Sequence, residues 1–298
     1  MKSAACLSVL ALALLAGCSK PATPAAGTDA APAEAAAPAP VDALQAAIDS
    51  DLRSPAEKAR DAWRHPKETL EFFGATPDKT VVEIWPGGGW YTNILAPWMA
   101  TGNGKLVLAI FDPAAQSDEE GRARTEANNE EFKANYADPK FGTIDYTVFS
   151  RVSGPLMEPD SADIVLTFRN IHNWMGRGYE QKFFNDAYAA LKPGGVLGVV
   201  EHRLPSTGTQ DPAAGTGYVH EDYVKALAAN AGFEFAGSSE INANPADTAD
   251  HPYGVWTLPP VRSGPGEDET PPEGWDPAKY EAIGESDRMT LKFVKPAE

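Results

Sequence analysis

Residues 81–92 read Val-Val-Glu-Ile-Trp-Pro-Gly-Gly-Gly-Trp-Tyr-Thr: a short apolar run, a glycine turn and the start of a second apolar segment. The first run has the length of a buried strand, and residues 91–98 read as the opening turns of a helix. A strand that passes through glycines into a helix N-terminus turns backbone N–H groups and the helix dipole toward a ligand. Glycine suits such a turn because a Cβ would block close approach or forbid a positive φ. The rest of the chain reads as the sheet that frames this turn.

Downstream, apolar runs and amphipathic stretches alternate. Residues 106–111 suit a strand buried on both faces, and 118–136 a polar, solvent-facing helix. Residues 146–149 and 162–168 supply the third and fourth strands. A helix over 178–191 sets Tyr179, Phe183, Ala187 and Leu191 at helical spacing. The turn Lys192-Pro193-Gly194-Gly195 leads into a fifth strand at 196–200. Residues 220–231 form a helix that Gly232 ends, and 233–236 and 289–294 are late strands. Between these late strands, residues 259–277 form a Pro/Gly/acidic surface loop. Upstream, Ser54-Pro55-Ala56-Glu57 is a capping box opening a helix to about residue 64, which His65-Pro66 breaks. A second short helix then carries Leu70, Phe72 and Phe73. This pair of helices is either a lid over the glycine turn or N-terminal packing. The pattern predicts a single Rossmann-like, doubly wound α/β domain over residues 44–298, its seven-stranded sheet mostly parallel with a late antiparallel strand.

The N-terminus is of a different kind. Lys2 and the apolar stretch 4–15 read as a signal peptide spanning 1–17. The sequence Leu15-Ala16-Gly17-Cys18 resembles a bacterial lipobox, which implies cleavage before Cys18 and its lipidation; Ser19 after it resembles the outer-membrane-sorted pattern. Residues 18–43 are Ala/Pro-rich and read as a tether. The expectation is a lipid-anchored protein of the bacterial envelope, on the outer membrane facing the periplasm. Cys6 leaves with the signal and Cys18 carries lipid, so the folded body has no thiol. Disulfides, zinc–thiolate sites and cysteine nucleophiles are thereby excluded. A formal net charge of −17 argues against nucleic acid and against docking on anionic lipid. Oligomeric state is not encoded in any pattern here.

Three segments together resemble class I S-adenosylmethionine-dependent methyltransferases, most closely those without an assigned substrate. They are Glu83-Ile84-Trp85-Pro86-Gly87-Gly88-Gly89, the stretch from Ala162 through Arg169-Asn170-Ile171-His172-Asn173-Trp174, and Leu191-Lys192-Pro193-Gly194-Gly195-Val196-Leu197. The resemblance implies S-adenosylmethionine as cofactor and methyl transfer to a small-molecule or envelope substrate. It implies that Glu83 orients the nearby ligand backbone or faces the cofactor ammonium, that Gly87, Gly88 and Gly89 let the loop lie against the cofactor, and that Asn170 borders it. Asp112, after the second strand, becomes the candidate for the ribose hydroxyls. Trp85 departs from the family pattern, which has glycine there; with Trp90 and Tyr91 it either faces the sulfonium or packs, or it fills cofactor space.

Methyl transfer to oxygen or nitrogen needs alignment and, for many acceptors, a base. His172 is the first candidate base and His202 the second, each with a hydrogen-bonded loop role as the alternative. His220 follows a Gly-rich loop that could close over substrate. The histidines lack metal-binding spacing, so no metal is expected. A nicotinamide fingerprint fails at Thr92, and no Gly-x-Ser-x-Gly elbow exists. A competing reading is a non-catalytic ligand-binding or interaction lipoprotein on the same scaffold, because S-adenosylmethionine is made in the cytoplasm.

Overall fold

The computed structural model describes residues 42–297. In chain order these form α1 (Ala43–Ile48), α2 (Pro55–Lys58), α3 (Asp61–Arg64), α4 (Pro66–Phe73), β1 (Thr80–Ile84), α5 (Thr92–Met99), β2 (Lys105–Phe111), α6 (Glu119–Asn135) and β3 (Ile144–Phe149). There follow β4 (Ala162–Phe168), α7 (Ile171–Met175), α8 (Glu180–Ala190), β5 (Leu191–His202), α9 (Glu221–Ala231), β6 (Glu234–Ser239), α10 (Pro277–Ile283) and β7 (Arg288–Val294). The signal segment, Cys18 and all but the end of the tether lie outside the described residues. Ala43 opens α1, capped by the Asp42 carboxylate on the Gln45 N–H.

One sheet runs β3-β2-β1-β4-β5-β7-β6. β1 pairs in parallel with β2 on one side and β4 on the other, and β7 runs antiparallel to both its neighbours. This is a Rossmann-like, doubly wound α/β sheet, mostly parallel with one late antiparallel strand. The chain order reverses at β1, which opens a crevice above the carboxyl ends of β1 and β4. Alternate residues of β1 face opposite layers. Val82 and Ile84 pack with Phe183, Phe184 and Ala187 of α8 and Leu227 of α9. Val81 packs with Leu70 and Phe73 of α4 and Ile94, Leu95 and Trp98 of α5. Each such fully buried side chain contributes roughly 1.5–3 kcal/mol.

Most predicted elements lie where the sequence places them, and the differences have local causes. The helix expected from residue 54 is two short pieces, α2 and α3, joined by a turn. His65 ends the second with φ 36°, since the residue before Pro66 is steered away from the right-handed helical region. Residues 192–195 do bulge as a turn, for Ala162 pairs with Leu191 while Ile164 pairs with Val196. The capping box is complete, with Ser54 and Glu57 bonding reciprocally.

Candidate active site

The glycine turn begins by extending the ladder: the Trp85 N–H donates to the Ala109 carbonyl at 2.8 Å. Trp85 then takes φ 48°, a left-handed conformation that is uncommon outside glycine. Its indole Nε1–H donates to the Phe149 carbonyl at 2.9 Å, and its rings lie 4.8 Å from Phe111, 5.6 Å from Trp174 and 6.2 Å from Phe149. Trp85 therefore fills the space between the ends of β1, β2 and β3. Glu83 is sealed beneath the turn, 2% exposed, and accepts a 2.7 Å hydrogen bond from Thr92. Burial pushes its carboxyl up to about 7, against the Thr92 hydroxyl and Arg169, which pull it down.

Above the crevice lies a cavity of about 520 Å³. Gly87 and Gly88 form part of its floor, and a Cβ added at either would meet open space. Arg169, Asn170 and His172 enter from the end of β4, His202 from the end of β5, and Ser286 and Arg288 from the start of β7. Glu57, Arg60 and Arg64 from the N-terminal helices close one side, and Trp256, Pro259 and Pro260 another. The N-terminal helices thus wall the cavity, and the first residues of the 259–277 loop belong to the site.

The imidazole of His172 is held at both nitrogens. Nδ1 lies 3.0 Å from Glu201 Oε1, and Nε2 lies 3.1 Å from the Asn173 amide nitrogen. Glu201, fully buried, also accepts from the Ile171 N–H at 2.6 Å and the His202 N–H at 2.8 Å. A carboxylate can only accept, so Nδ1 carries the proton toward Glu201 and Nε2 presents a lone pair. His202 sits beside it, ring centroids 5.3 Å apart, with Nδ1 2.5 Å from Ser286 Oγ. Burial, then the neighbouring His172 ring and the charge of Arg288, pushes its imidazole well below the ordinary range. His172, Glu201 and His202 offer donor atoms within 4.8 Å of one another. Spacing along the sequence gave no sign of this convergence, which is the grouping a metal would need. Both Glu201 oxygens accept hydrogen bonds, one from the Ile171 N–H and the other from the His172 ring and the His202 N–H, so the His172 imidazole is oriented by a buried carboxylate.

Arginines dominate the opposite wall. Glu285 accepts from Arg60 Nε at 2.5 Å, from Arg64 Nε at 3.0 Å and from Arg288. Burial would raise its carboxyl, but Arg288, Arg64 and Arg60 outweigh that and hold it at about 2. Two guanidiniums lie over the Trp90 ring, 4.8 Å (Arg53) and 4.7 Å (Arg64) from its centroid. Tyr91 stacks on Phe168 at 3.6 Å. The aromatics of the turn are thereby committed to protein partners.

The residues singled out from the sequence divide. Gly87, Gly88, Asn170, His172 and His202 line the cavity. Asn170 also ties the site to the sheet, donating to the Ile84 carbonyl at 3.0 Å. Gly89 lies to one side, and glycine is needed there for another reason: a Cβ would fall 2.0 Å from Tyr136 Oη. Glu83 is bonded to Thr92 rather than exposed to a ligand. Asp112 accepts from the Ala114 N–H at 2.9 Å and from Ser150 Oγ at 2.7 Å. Phe111, 43% exposed, stands at the end of β2 instead. His220 is away from the cavity, its Nε2 3.0 Å from the Gly208 carbonyl. The open edge at Gly87 and Gly88 fits the amino-acid part of S-adenosylmethionine. No residue of the loops after β2 and β3 lines this cavity; a separate cavity of about 200 Å³ opens beside Pro86 and Gly87, against Ile110, Phe111, Asn128, Asn129 and Phe132. Arg60, Arg64, Glu285, Ser286 and Arg288 were not legible as site residues. They come from the two ends of the domain and meet only through the antiparallel return of β7.

No family model matches the chain, and no curated protein matches it. Among solved structures, the chain is similar to an S-adenosylmethionine-dependent methyltransferase from Aquifex aeolicus, at 16% identity, TM-score 0.46, over 68% of this chain and 94% of that one. It is also similar to the (4+2)-cyclase SpnF, at 15% identity, TM-score 0.48, over 84% and 86%. A third is a TehB-like methyltransferase from Corynebacterium glutamicum, at 12% identity, TM-score 0.41, over 81% and 100%. At these identities the likeness is one of fold alone.

Proposed function

We propose that this chain is an enzyme that transfers a methyl group from S-adenosylmethionine to a small-molecule acceptor, with His172 as the general base. The observation that carries this reading is the Glu201–His172 pair at the cavity wall, above the point where the strand order reverses. Nδ1–H donates to Glu201, so Nε2 takes the proton from an acceptor oxygen or nitrogen that displaces the Asn173 amide. Glu201 then stabilises the imidazolium. His202, kept neutral, offers a further hydrogen bond to the acceptor. When bound, S-adenosylmethionine would supply the methyl group, its amino-acid end against Gly87 and Gly88.

A second reading has a specific observation in its favour. Trp85, packed against Phe111 and Phe149, closes the main cavity on the side of β2 and β3, which favours a ligand-binding protein that takes a smaller molecule in that cavity. Calorimetry with S-adenosylmethionine and S-adenosylhomocysteine separates the two. Binding of either supports methyl transfer, and no heat at about millimolar concentration sinks it. The lipobox supports a further proposal, that the domain is held in the bacterial envelope by lipid on Cys18. Mass spectrometry of the mature N-terminus tests it, and an unmodified Cys18 overturns it.

A further inference from the structure

We infer that the cavity holds its ligand by an oxyanion, a carboxylate or phosphate group, gripped by Arg169 together with Arg64 and Arg288. This rests on the cavity being the ligand site, and on neither the cofactor nor the base assignment.

Four arginines line the cavity, and only two carboxylates, Glu57 and Glu285, share its walls. Glu285 is the counter-charge for three of them at once. Glu57 is turned to other donors: the Ser54 N–H and Oγ at 2.7 Å each and the Asn93 amide at 2.7 Å. Arg169 has no hydrogen-bond or ion-pair partner for its guanidinium among the described residues, although it stands at the cavity wall. The other two arginines are also incompletely satisfied. Arg64 Nη1 and Arg288 Nε are buried without a partner, in side chains 3% and 2% exposed.

Buried donors without acceptors are costly, and guanidiniums do not shed their proton to escape the cost. The charges also disfavour one another. Burial pushes Arg169 down to about 10, with repulsion from Arg288 adding to the effect, and Arg64 is pushed down by burial and by Arg169. An excess of positive charge this concentrated, in a chain of formal charge −17, is what an anionic ligand would neutralise. The planar fork of arginine matches the two oxygens of a carboxylate or phosphate, which sets an oxyanion above a halide. Trp256 and Pro259 line the cavity beside the arginines, an apolar surface for an organic body behind the anionic group.

Tryptophan fluorescence of the full chain reads occupancy directly, because Trp85, Trp90 and Trp256 line the cavity. Inorganic phosphate and succinate are titrated at constant ionic strength, with chloride as the control. A saturable change with phosphate, succinate or both is expected, and which anion saturates identifies the source. Arg169→Gln should weaken it at least about tenfold while the thermal midpoint does not fall, since the guanidinium makes no hydrogen bond or ion pair within the described residues and is repelled by Arg288 and Arg64. Absence of saturation with both anions overturns the inference, as does undiminished affinity in Arg169→Gln. Neither cofactor nor turnover enters the measurement, so it stands or fails separately from the methyl-transfer reading.

Discussion

His172 Nδ1 lies 3.0 Å from the Glu201 carboxylate, and the same carboxylate accepts the backbone N–H groups of Ile171 and His202. One side chain therefore fixes the tautomer of His172 and joins the ends of β4 and β5. Glu201→Gln keeps the shape but turns an amide N–H₂ against at least one of these donors. The expected loss of stability is about 1–3 kcal/mol by urea unfolding. Nitrogen chemical shifts should show the His172 ring passing from one tautomer to a mixture. Unchanged ring shifts would show that Glu201 does not set the tautomer.

Glu83 makes stability depend on pH in the opposite sense to most carboxylates. Its folded value, about 7, lies above the ordinary 4.5, so the folded state holds the proton more tightly than the unfolded chain. That contribution is complete below about 4.5 and is lost as pH rises through about 7. Glu83→Gln, which can still accept from Thr92, should abolish this loss and be the more stable protein at pH 8 by up to about 3 kcal/mol. Parallel pH profiles for the two proteins would remove the assignment.

For Glu285 the sign reverses. Its carboxyl is held at about 2, below the ordinary 4.5, so its contribution is present above about 4.5 and fades as pH falls toward 2. Glu285→Gln leaves three guanidiniums without their shared counter-charge and should cost about 3–5 kcal/mol at pH 7. Denaturant midpoints at pH 7 and pH 3 check both statements. A variant as stable as the parent at pH 7 would show that the arginines are satisfied elsewhere.

Two neighbouring glycines should respond differently to the same change. Gly89→Ala combines φ 84° with a Cβ 2.0 Å from Tyr136 Oη, so it should destabilise by about 2 kcal/mol or more. Gly88→Ala meets open space without a positive φ and should leave stability within about 0.5 kcal/mol, while its methyl intrudes on the cavity and weakens ligand binding. Equal thermal midpoints for the two variants would contradict this account of the turn.

Much of the fold was legible because its signals are local. Apolar runs marked the strands, the capping box at Ser54 and the break at His65-Pro66 marked helix ends, and residues 81–92 marked the turn at the centre of the sheet. His172 and His202 were also legible, as polar residues directly after strands whose carboxyl ends face the crevice. Sequence alone could name Trp85 as the departure from the expected glycine, but not where its indole would go.

Only tertiary structure decided what those residues touch. Glu201 meets His172 because β4 and β5 are hydrogen-bonded neighbours, and Arg288 meets Arg64 because the antiparallel β7 brings the end of the chain back beside its first helices. Asp112 turned to Ser150, and Trp85 turned into the space beside β2 and β3, because each found its partners across strands. Backbone propensity is written in a few adjacent residues, so the sequence by itself determined the order of elements and their sheet. The charge balance of the cavity depends on groups far apart in the chain, and the packed fold alone sets it.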